Sequence, residues 1–294
     1  MAKSVTTWAL CGLVVAVIAC TSANAQHTLL PIPDRLVVLN FDDGTKTDIT
    51  YVAPVLKRYG FGATFYVTED LRSIKGNDGA LSWDDIRKLS DEGFEVGNHT
   101  VTHPDVRTLS KEQFIAELEG IEQRCKQHGV PKPTTFAYPG WQFKIENAEV
   151  LLEKGYSFAR RGVTPEFPDG DNGARGPIYD PAKDHPLLIP TTGYSGPKWG
   201  FNDLVWAIDQ AKKGKIAVIV FHGVPYPRAP WVSTPPKVFD RYMKYLHDRG
   251  CKVIATRDLA KYVEPANVTH LPLQQPKGIY ESGVSAQPRP ARGP

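Results

Sequence analysis

Two carboxylates stand side by side in Asn40-Phe41-Asp42-Asp43-Gly44, directly after the apolar run Leu36-Val37-Val38-Leu39. Such a run predicts a strand that is covered on both faces. In an α/β barrel the active site lies at the carboxyl ends of the strands. Asp42 and Asp43 are therefore well placed for acid–base or metal chemistry, although an Asp-Gly pair is also common in plain turns.

A pair of histidines occurs in His99-Thr100-Val101-Thr102-His103, after the short predicted strand Phe94-Glu95-Val96. Two imidazoles four residues apart can share one face of a helical turn and bind the same metal ion. Pro104 prevents a long helix from continuing through the segment, which favours a loop at a strand end. The alternative interpretation is a surface turn with two incidental histidines.

A third candidate is His222, which ends the apolar run from Ile216 to Phe221. By itself it could equally be a core histidine that is satisfied by a backbone carbonyl. The three segments together are stronger evidence than any one of them, because each follows a predicted strand. One aspartate and two histidines form a suitable set of three protein ligands for a catalytic zinc and leave a position for water.

Predicted strands and amphipathic helices alternate from residue 35 onward. The strands are expected at 36–39, 63–67, 94–96, 134–138, 156–159, 216–221 and 252–255, and the helices near 52–59, 83–92, 111–127, 145–154, 202–213 and 238–249. Ser82, Ser110 and Asn202 are the predicted N-caps of three of these helices, and Lys212 and Lys213 are predicted in the last turn of the helix at 202–213. This alternation predicts a mainly parallel sheet. Closure into a (β/α) barrel is favoured, with an open doubly wound sheet as the alternative. Residues 162–200 are rich in Gly, Pro and Asp and are expected to form long loops over one end.

The bulk properties indicate an exported globular protein of one barrel-sized domain, over residues 34–263. The chain has 294 residues and a formal net charge of +3, so no strong field points to nucleic acid or an anionic membrane. Residues 1–25 resemble a signal peptide that ends in the small-x-small pattern Ala23-Asn24-Ala25. Its apolar run is too short to span a bilayer comfortably. Residues 265–294 are Pro-rich and expected to be disordered.

Cysteine usage adds one alternative to simple secretion. Val17-Ile18-Ala19-Cys20 also resembles a lipobox, in which Cys20 would carry a lipid anchor. The expected location is therefore secreted or periplasmic, or alternatively anchored to a membrane as a lipoprotein. Cys125 and Cys251 remain in the folded domain, and both are expected to be buried thiols.

The ordered motifs resemble the polysaccharide deacetylase (NodB-homology) family of carbohydrate esterases, from about Asp34 to Val263. Asn40 to Gly44 resembles its Thr-Phe-Asp-Asp-Gly motif, His99 to His103 its His-Ser/Thr-x-x-His motif, Phe136 to Gly140 its third motif, and Val220 to His222 its late Leu-x-His motif. The resemblance implies a distorted (β/α) barrel, commonly with seven strands. It also implies a divalent metal cofactor, for which zinc is favoured over cobalt, nickel or iron.

The resemblance implies a role for individual residues. Asp43, His99 and His103 would bind the metal, Asp42 would be the general base and His222 the general acid. The backbone N–H of Tyr138 would help to stabilise the oxyanion. Val220 would lie where the family lines the pocket for the acetyl methyl group, and Pro139 is also expected to contact the substrate. Independently of the resemblance, several aromatic residues fall in loops predicted near the mouth and suit the apolar face of a sugar ring: Trp141, Tyr194, Trp199, Tyr226 and Trp231. The alternative for each of them is ordinary core or loop packing.

The implied reaction is hydrolysis of acetyl groups, N-acetyl favoured over O-acetyl, on a polysaccharide such as peptidoglycan or an N-acetylglucosamine polymer. Metal-bound water would be the nucleophile. Two alternatives remain: hydrolysis of a small amide or imide, and a catalytically silent saccharide-binding domain. The sequence departs from the family pattern at Asn40, which replaces Thr, and at Ala137, which replaces an arginine that orients the base. The fourth motif is not recognisable, and Arg160 or Arg161 could take over its supporting role.

Overall fold

The computed structural model describes, apart from Met1, residues 28–70, 79–167 and 174–267. The remainder of the predicted signal segment, with Cys20, lies outside these ranges, as does the predicted Pro-rich tail beyond residue 267. No helix in the described ranges is both long enough and apolar enough to cross a membrane.

The described strands form one parallel sheet. They are β1 (Leu36–Phe41), β2 (Thr64–Val67), β3 (Glu95–Asn98), β4 (Thr135–Ala137), β5 (Phe158–Arg160), β6 (Gly193–Tyr194), β7 (Ala217–Phe221) and β8 (Lys252–Ile254). Seven follow the order β5-β4-β3-β2-β1-β7-β6, and β8 pairs with β1. On one side, β1 pairs with β7 along most of its length. On its other side, β1 pairs first with β8, at residues 36–38, and then with β2, at residues 40–41.

The segment around β6 joins the two edges of this curled sheet. Ile189 N donates to Ala159 O of β5 at 2.9 Å, and Thr192 N donates to Val218 O of β7 at 2.8 Å. The predicted (β/α) barrel is therefore confirmed against the open sheet. The sequence predicts only loops between residues 162 and 200 and misses β6, because two residues are too few to show a strand pattern.

Helices cover the outside of the sheet. They are α1 (Ala53–Tyr59), α2 (Trp83–Asp91), α3 (Lys111–Gln127), α4 (Ile145–Glu153), α5 (Phe201–Gln210) and α6 (Pro236–Asp248). The capping boxes at Ser82 and Ser110 are present. The prediction of Asn202 as the N-cap of α5 is wrong. The N-cap is Gly200, whose N–H donates to Asp203 Oδ2 at 2.7 Å, so the helix begins two residues earlier than predicted.

The last turn of α5 also differs from the prediction. The helix ends at Gln210, so Lys212 and Lys213 lie beyond it rather than in its last turn. Cys125 on α3 and Cys251 before β8 are buried free thiols, as predicted.

Strand alternation decides which side chains enter the barrel. Val37, Leu39 and Phe41 belong to the large hydrophobic cluster that also contains Phe239 of α6. Leu36 and Val38 belong instead to the cluster that includes residues of β5, β7 and β8. Since the side chains of a strand alternate between its two faces, the next residues on the Leu36 face are Asn40 and Asp42, at the carboxyl end of β1.

Candidate metal centre and active site

Three side chains predicted as metal ligands come together at the carboxyl ends of β1 and β3. Asp43 Oδ1 lies 3.6 Å from His99 Nε2 and 3.5 Å from His103 Nε2. One ligand atom from each of the three residues lies within 4.8 Å of the others. Tetrahedral ligands at about 2.1 Å from a zinc ion stand about 3.4 Å apart. The donor set therefore fits a divalent cation held by three protein ligands.

The orientation of His99 is set by its other ring nitrogen. Nδ1 lies 2.7 Å from Ala137 O, an acceptor only, so Nδ1 carries the proton and the Nε2 lone pair faces Asp43. Burial lowers the pKa of His99 to about 3, so the ring is neutral at neutral pH. A neutral imidazole whose far nitrogen donates to a carbonyl is the arrangement that metal-binding histidines commonly show.

The His103 loop is held against α3. Glu117 of that helix accepts hydrogen bonds from Val101 N at 2.7 Å and Thr102 N at 2.8 Å. A Cβ atom on Gly120 would lie 2.3 Å from Val101 Cγ2, so glycine is needed for the loop to approach the helix this closely. His103 itself has a φ of 51°, which few non-glycine residues adopt. The position of this ligand therefore depends on contacts with a neighbouring helix.

The loop after β1 is held by its own side chains. Asp43 has a φ of 74°, and the next turn is closed by Asp48, which accepts hydrogen bonds from Thr45 N at 2.9 Å and Thr45 Oγ1 at 3.0 Å. Burial raises the pKa of Asp48 well above its usual value, although the hydrogen bonds from Thr45 oppose the shift. A buried carboxyl group thus anchors the segment that presents Asp43.

The candidate base Asp42 is paired with Arg160, from the end of β5. Arg160 Nη2 donates to Asp42 Oδ1 at 2.8 Å and to Oδ2 at 2.6 Å, and both residues are buried. Burial alone would raise the pKa of Asp42, but the charge of Arg160, with smaller effects of His99 and His222, outweighs it and the pKa is lowered. Arg160 therefore supplies the support that Ala137 cannot. Arg161 does not, because it pairs with Glu166.

The candidate acid His222 lies beside Asp42. Phe41 pairs with Phe221 in the sheet, so the next residue on each strand meets the other at the barrel mouth. Burial lowers the pKa of His222, and the charges of Asp43 and Asp42 oppose the shift only in part. Its Nδ1 makes no hydrogen bond within the described ranges. No described residue therefore takes over, by a hydrogen bond to His222 Nδ1, the supporting role expected of the missing fourth motif.

The expected role of Tyr138 is not supported. Its backbone N–H donates to Arg160 O at 3.1 Å, and its hydroxyl donates to Leu187 O at 3.1 Å. An amide already engaged between β4 and β5 is not available to an oxyanion. Among the described residues, the amide of Gly140, two residues further on, donates no backbone hydrogen bond outside its own short helical turn, Pro139–Trp141. The sequence shows no signal for this difference, since it depends on how the two strands pair.

The predicted substrate contacts differ in exposure. Val220 and Pro139 are buried, and Trp141 packs against Tyr194 with ring centroids 4.4 Å apart. The prediction that Trp199 contacts the substrate is not supported. Trp199 is 4% exposed, and a Cβ atom on Gly193 would lie 2.0 Å from its ring. The ring therefore covers β6 and has no open face for a sugar. Trp231, in contrast, is 61% exposed.

The polysaccharide deacetylase family profile matches residues 31–159. Over this segment the chain is similar to the polysaccharide deacetylase family. Its members similar to the chain include a chitin deacetylase of Colletotrichum lindemuthianum, 32% identical over 92 residues that make up 31% of this chain and 36% of the relative.

A chitooligosaccharide deacetylase of Rhizobium leguminosarum bv. trifolii is 33% identical over 123 residues, which are 40% of this chain and 51% of the relative. The chain thus spans about half or less of the length of these curated relatives. Among solved structures, PdaA of Bacillus subtilis, a family 4 carbohydrate esterase, superimposes with a TM-score of 0.52 at 20% identity, covering 79% of this chain and 83% of that one. The likeness to PdaA supports the same barrel fold.

Proposed function

We propose that this chain is a member of the polysaccharide deacetylase family and a metal-dependent hydrolase that removes acetyl groups from a polysaccharide. One observation carries the proposal: the Asp43, His99 and His103 donor set lies at the same barrel mouth as the Asp42–Arg160 pair and His222. A metal site next to a supported carboxylate and a buried histidine provides a base and an acid for hydrolysis.

Asp43, His99 and His103 would hold the cation. When bound, a divalent cation supplies Lewis acidity, which polarises the acetyl carbonyl and lowers the pKa of water. Zinc is proposed because two imidazoles and one carboxylate suit it. The hydrogen bond from His99 Nδ1 to Ala137 O keeps that ring in the tautomer that a metal requires.

The residues of the chain would then move the protons. Asp42, kept ionised by Arg160, would accept the proton of the attacking water. His222 would protonate the departing nitrogen, without which the tetrahedral intermediate would revert to the amide. We assign the oxyanion contact to the Gly140 amide in place of Tyr138, because the Tyr138 amide already donates to Arg160 O.

The substrate class is proposed from the named relatives together with the predicted export. Relatives named chitin deacetylase, chitooligosaccharide deacetylase and peptidoglycan-N-acetylglucosamine deacetylase all act, by their names, on acetylated amino sugars. We therefore propose an N-acetylated amino-sugar polymer, met outside the cytoplasm. Mass spectrometry of the exported protein would distinguish a mature chain that begins at Gln26 from one that is lipidated at Cys20.

The test is acetate release by the purified protein from N-acetylglucosamine polymers, peptidoglycan and acetylated xylan, with zinc and with a chelator. Release that requires zinc and is abolished in Asp42→Asn supports the proposal, because asparagine keeps the shape of the side chain but cannot accept a proton. The matched control is Asp84→Asn, an exposed carboxylate on α2, which should leave release unchanged.

Two results would contradict the proposal. Acetate release from small amides but from no polymer would identify a small-amide hydrolase. Zinc binding with no release from any substrate would identify a saccharide-binding domain.

A further inference from the structure

Tyr66 lies inside the barrel, near Arg160 and His99. It belongs to β2 and is fully buried. Its ring lies flat across Gly97 of β3, where a Cβ atom would be 2.4 Å from two ring carbons. The space for this ring therefore exists only because residue 97 is glycine.

The Tyr66 ring makes one of the few contacts that hold the Arg160 guanidinium group. Besides Asp42, the guanidinium group has one hydrogen-bond partner, Thr191 Oγ1, at 3.2 Å from Nη1. Arg160 Nε makes no hydrogen bond within the described ranges. The guanidinium carbon lies 5.6 Å from the Tyr66 ring centroid, within the range of a cation–π interaction. The Tyr66 ring face therefore adds a contact to a guanidinium group whose Nε has no hydrogen-bond partner among the described residues.

The ring is itself held from the far side. Tyr66 OH donates to Thr256 Oγ1 at 3.1 Å, and Thr256 Oγ1 donates to Asn40 Oδ1 at 2.8 Å. Asn40 stands two residues before Asp42, so this chain of hydrogen bonds links the ring to the strand that carries the base. The Tyr66 ring also lies 6.5 Å from the His99 ring, centroid to centroid.

We propose that Tyr66 is a positioning residue, whose ring face holds the Arg160 guanidinium in the orientation in which it binds Asp42. The expected effect on kcat rests on the proposed deacetylation. The contact between Tyr66 and Arg160 is independent of that proposal. Tyr66 does not reach the substrate in this arrangement and acts through Arg160.

The kinetic test compares Tyr66→Leu with Tyr66→Phe. Leucine removes the ring face, and we expect kcat to fall about 10-fold with KM nearly unchanged, the size of effect typical of residues that orient a catalytic group. Phenylalanine keeps the face and should restore most of kcat. In an Arg160→Met background Tyr66→Leu should cause no further loss, because the two residues act through one contact.

The control for simple destabilisation is Tyr179→Leu. Tyr179 is also a fully buried tyrosine, in the cluster with Leu36 and Val38 at the opposite end of the barrel from Asp42. Its loss should lower thermal stability but leave kcat unchanged well below the melting temperature. Independent losses of kcat in the Tyr66 and Arg160 variants, or an unchanged kcat in folded Tyr66→Leu, would overturn the proposal.

A second measurement does not require turnover. In NMR spectra of labelled arginine, the Arg160 guanidinium of the unmodified protein should rotate slowly about its Nε–Cζ bond, and Tyr66→Leu should accelerate this rotation. If the unmodified protein releases no acetate, the proposed function fails, and the NMR comparison alone decides the role of Tyr66. Equal rotation rates in the two proteins would overturn it.

Discussion

Asp42 shows how single residues set the state of the site. It is buried, which opposes ionisation, yet its pKa is lowered because Arg160 donates to both of its oxygens. A buried carboxylate of this kind costs free energy unless a hydrogen-bonded positive charge accompanies it. The proposed function of Asp42 as a base therefore depends on Arg160, a residue to which no proton transfer is assigned.

The first prediction concerns that partner. Arg160→Lys keeps the positive charge but loses the planar fork that reaches Asp42 and Thr191 together. We expect kcat for acetate release to fall by about 10- to 100-fold. The control is Arg161→Lys, at the neighbouring buried arginine that pairs with Glu166. The folded fraction of this variant should retain the kcat of the unmodified protein. Equal losses in both variants would indicate a general defect of the strand end.

The second prediction concerns the exposed Trp231. It lies in the loop after His222, which is fixed by hydrogen bonds from Thr234 N to Gly223 O and from Thr234 Oγ1 to Ser195 Oγ. If its ring stacks on a sugar, Trp231→Ala loses about 1 kcal/mol, or about fivefold in KM for a polymer. KM for a small acetyl ester should not change. Leu30→Ala, at another exposed apolar side chain, should change neither value.

At the scale of elements, both ligand-bearing loops are held by side chains rather than by regular structure. Glu117 of α3 binds the loop that carries His103. Asp48 closes the turn that follows Asp43. Loops that must present ligands within a few tenths of an ångström need such anchors, since the backbone there has no ladder of hydrogen bonds.

The third prediction tests the α3 anchor. Glu117→Ala leaves two backbone amides of the loop without their acceptor, and we expect the Kd for zinc to rise about 10-fold. Competition with a chromophoric chelator measures it. Glu119→Ala, on the exposed face of the same helix where Glu119 pairs with Lys154, should leave the Kd unchanged, and a similar rise there would argue against a specific anchor.

The fourth prediction is a pH dependence of stability. Because the pKa of Asp48 is raised on folding, mainly by burial, its stabilising contribution is fully present below the unfolded pKa and is lost as pH rises through the folded pKa. Asp48→Asn cannot titrate. Its free energy of unfolding, relative to the unmodified protein, should therefore increase between about pH 4 and pH 7.

Urea titrations of both proteins at each pH measure this difference. The exposed Asp84→Asn serves as the control and should give a difference that does not vary with pH. A difference for Asp48→Asn that stays constant or decreases would show that the buried carboxyl group is not the cause.

At the scale of the whole molecule, the barrel brings together groups that are distant in the chain. Asp42 and Arg160 are 118 residues apart in sequence, and His222 reaches the same mouth from β7. The metal centre joins the ends of β1 and β3, so a bound cation would link two parts of the sheet. Its binding energy should therefore stabilise the fold as a whole.

The fifth prediction measures this linkage. Zinc at about 100 times its Kd should add about 2.7 kcal/mol to the free energy of unfolding. His103→Ala should abolish the gain. His247→Ala, at an exposed histidine on α6, should keep it. A gain that persists without His103 would place the cation elsewhere.

Local structure and the chemistry of the candidate metal ligands can be predicted from short stretches of sequence. Strand and helix positions followed from apolar periodicity, and Ser82 and Ser110 were recognised as caps, because these signals lie within a few neighbouring residues. Asp43, His99 and His103 could be identified as a group because short motifs at strand ends share one face of a parallel barrel.

Which distant side chains meet cannot be predicted in this way, because it depends on the three-dimensional packing of the elements. The pairing of Arg160 rather than Arg161 with Asp42, the engagement of the Tyr138 amide and the burial of Trp199 all depend on strand register and on packing between elements. The contact between Tyr66 and Gly97 could not be predicted either, since neither residue type indicates that the tyrosine ring will fill the space above the glycine. Local sequence signals specify elements, whereas such contacts depend on how those elements pack in three dimensions.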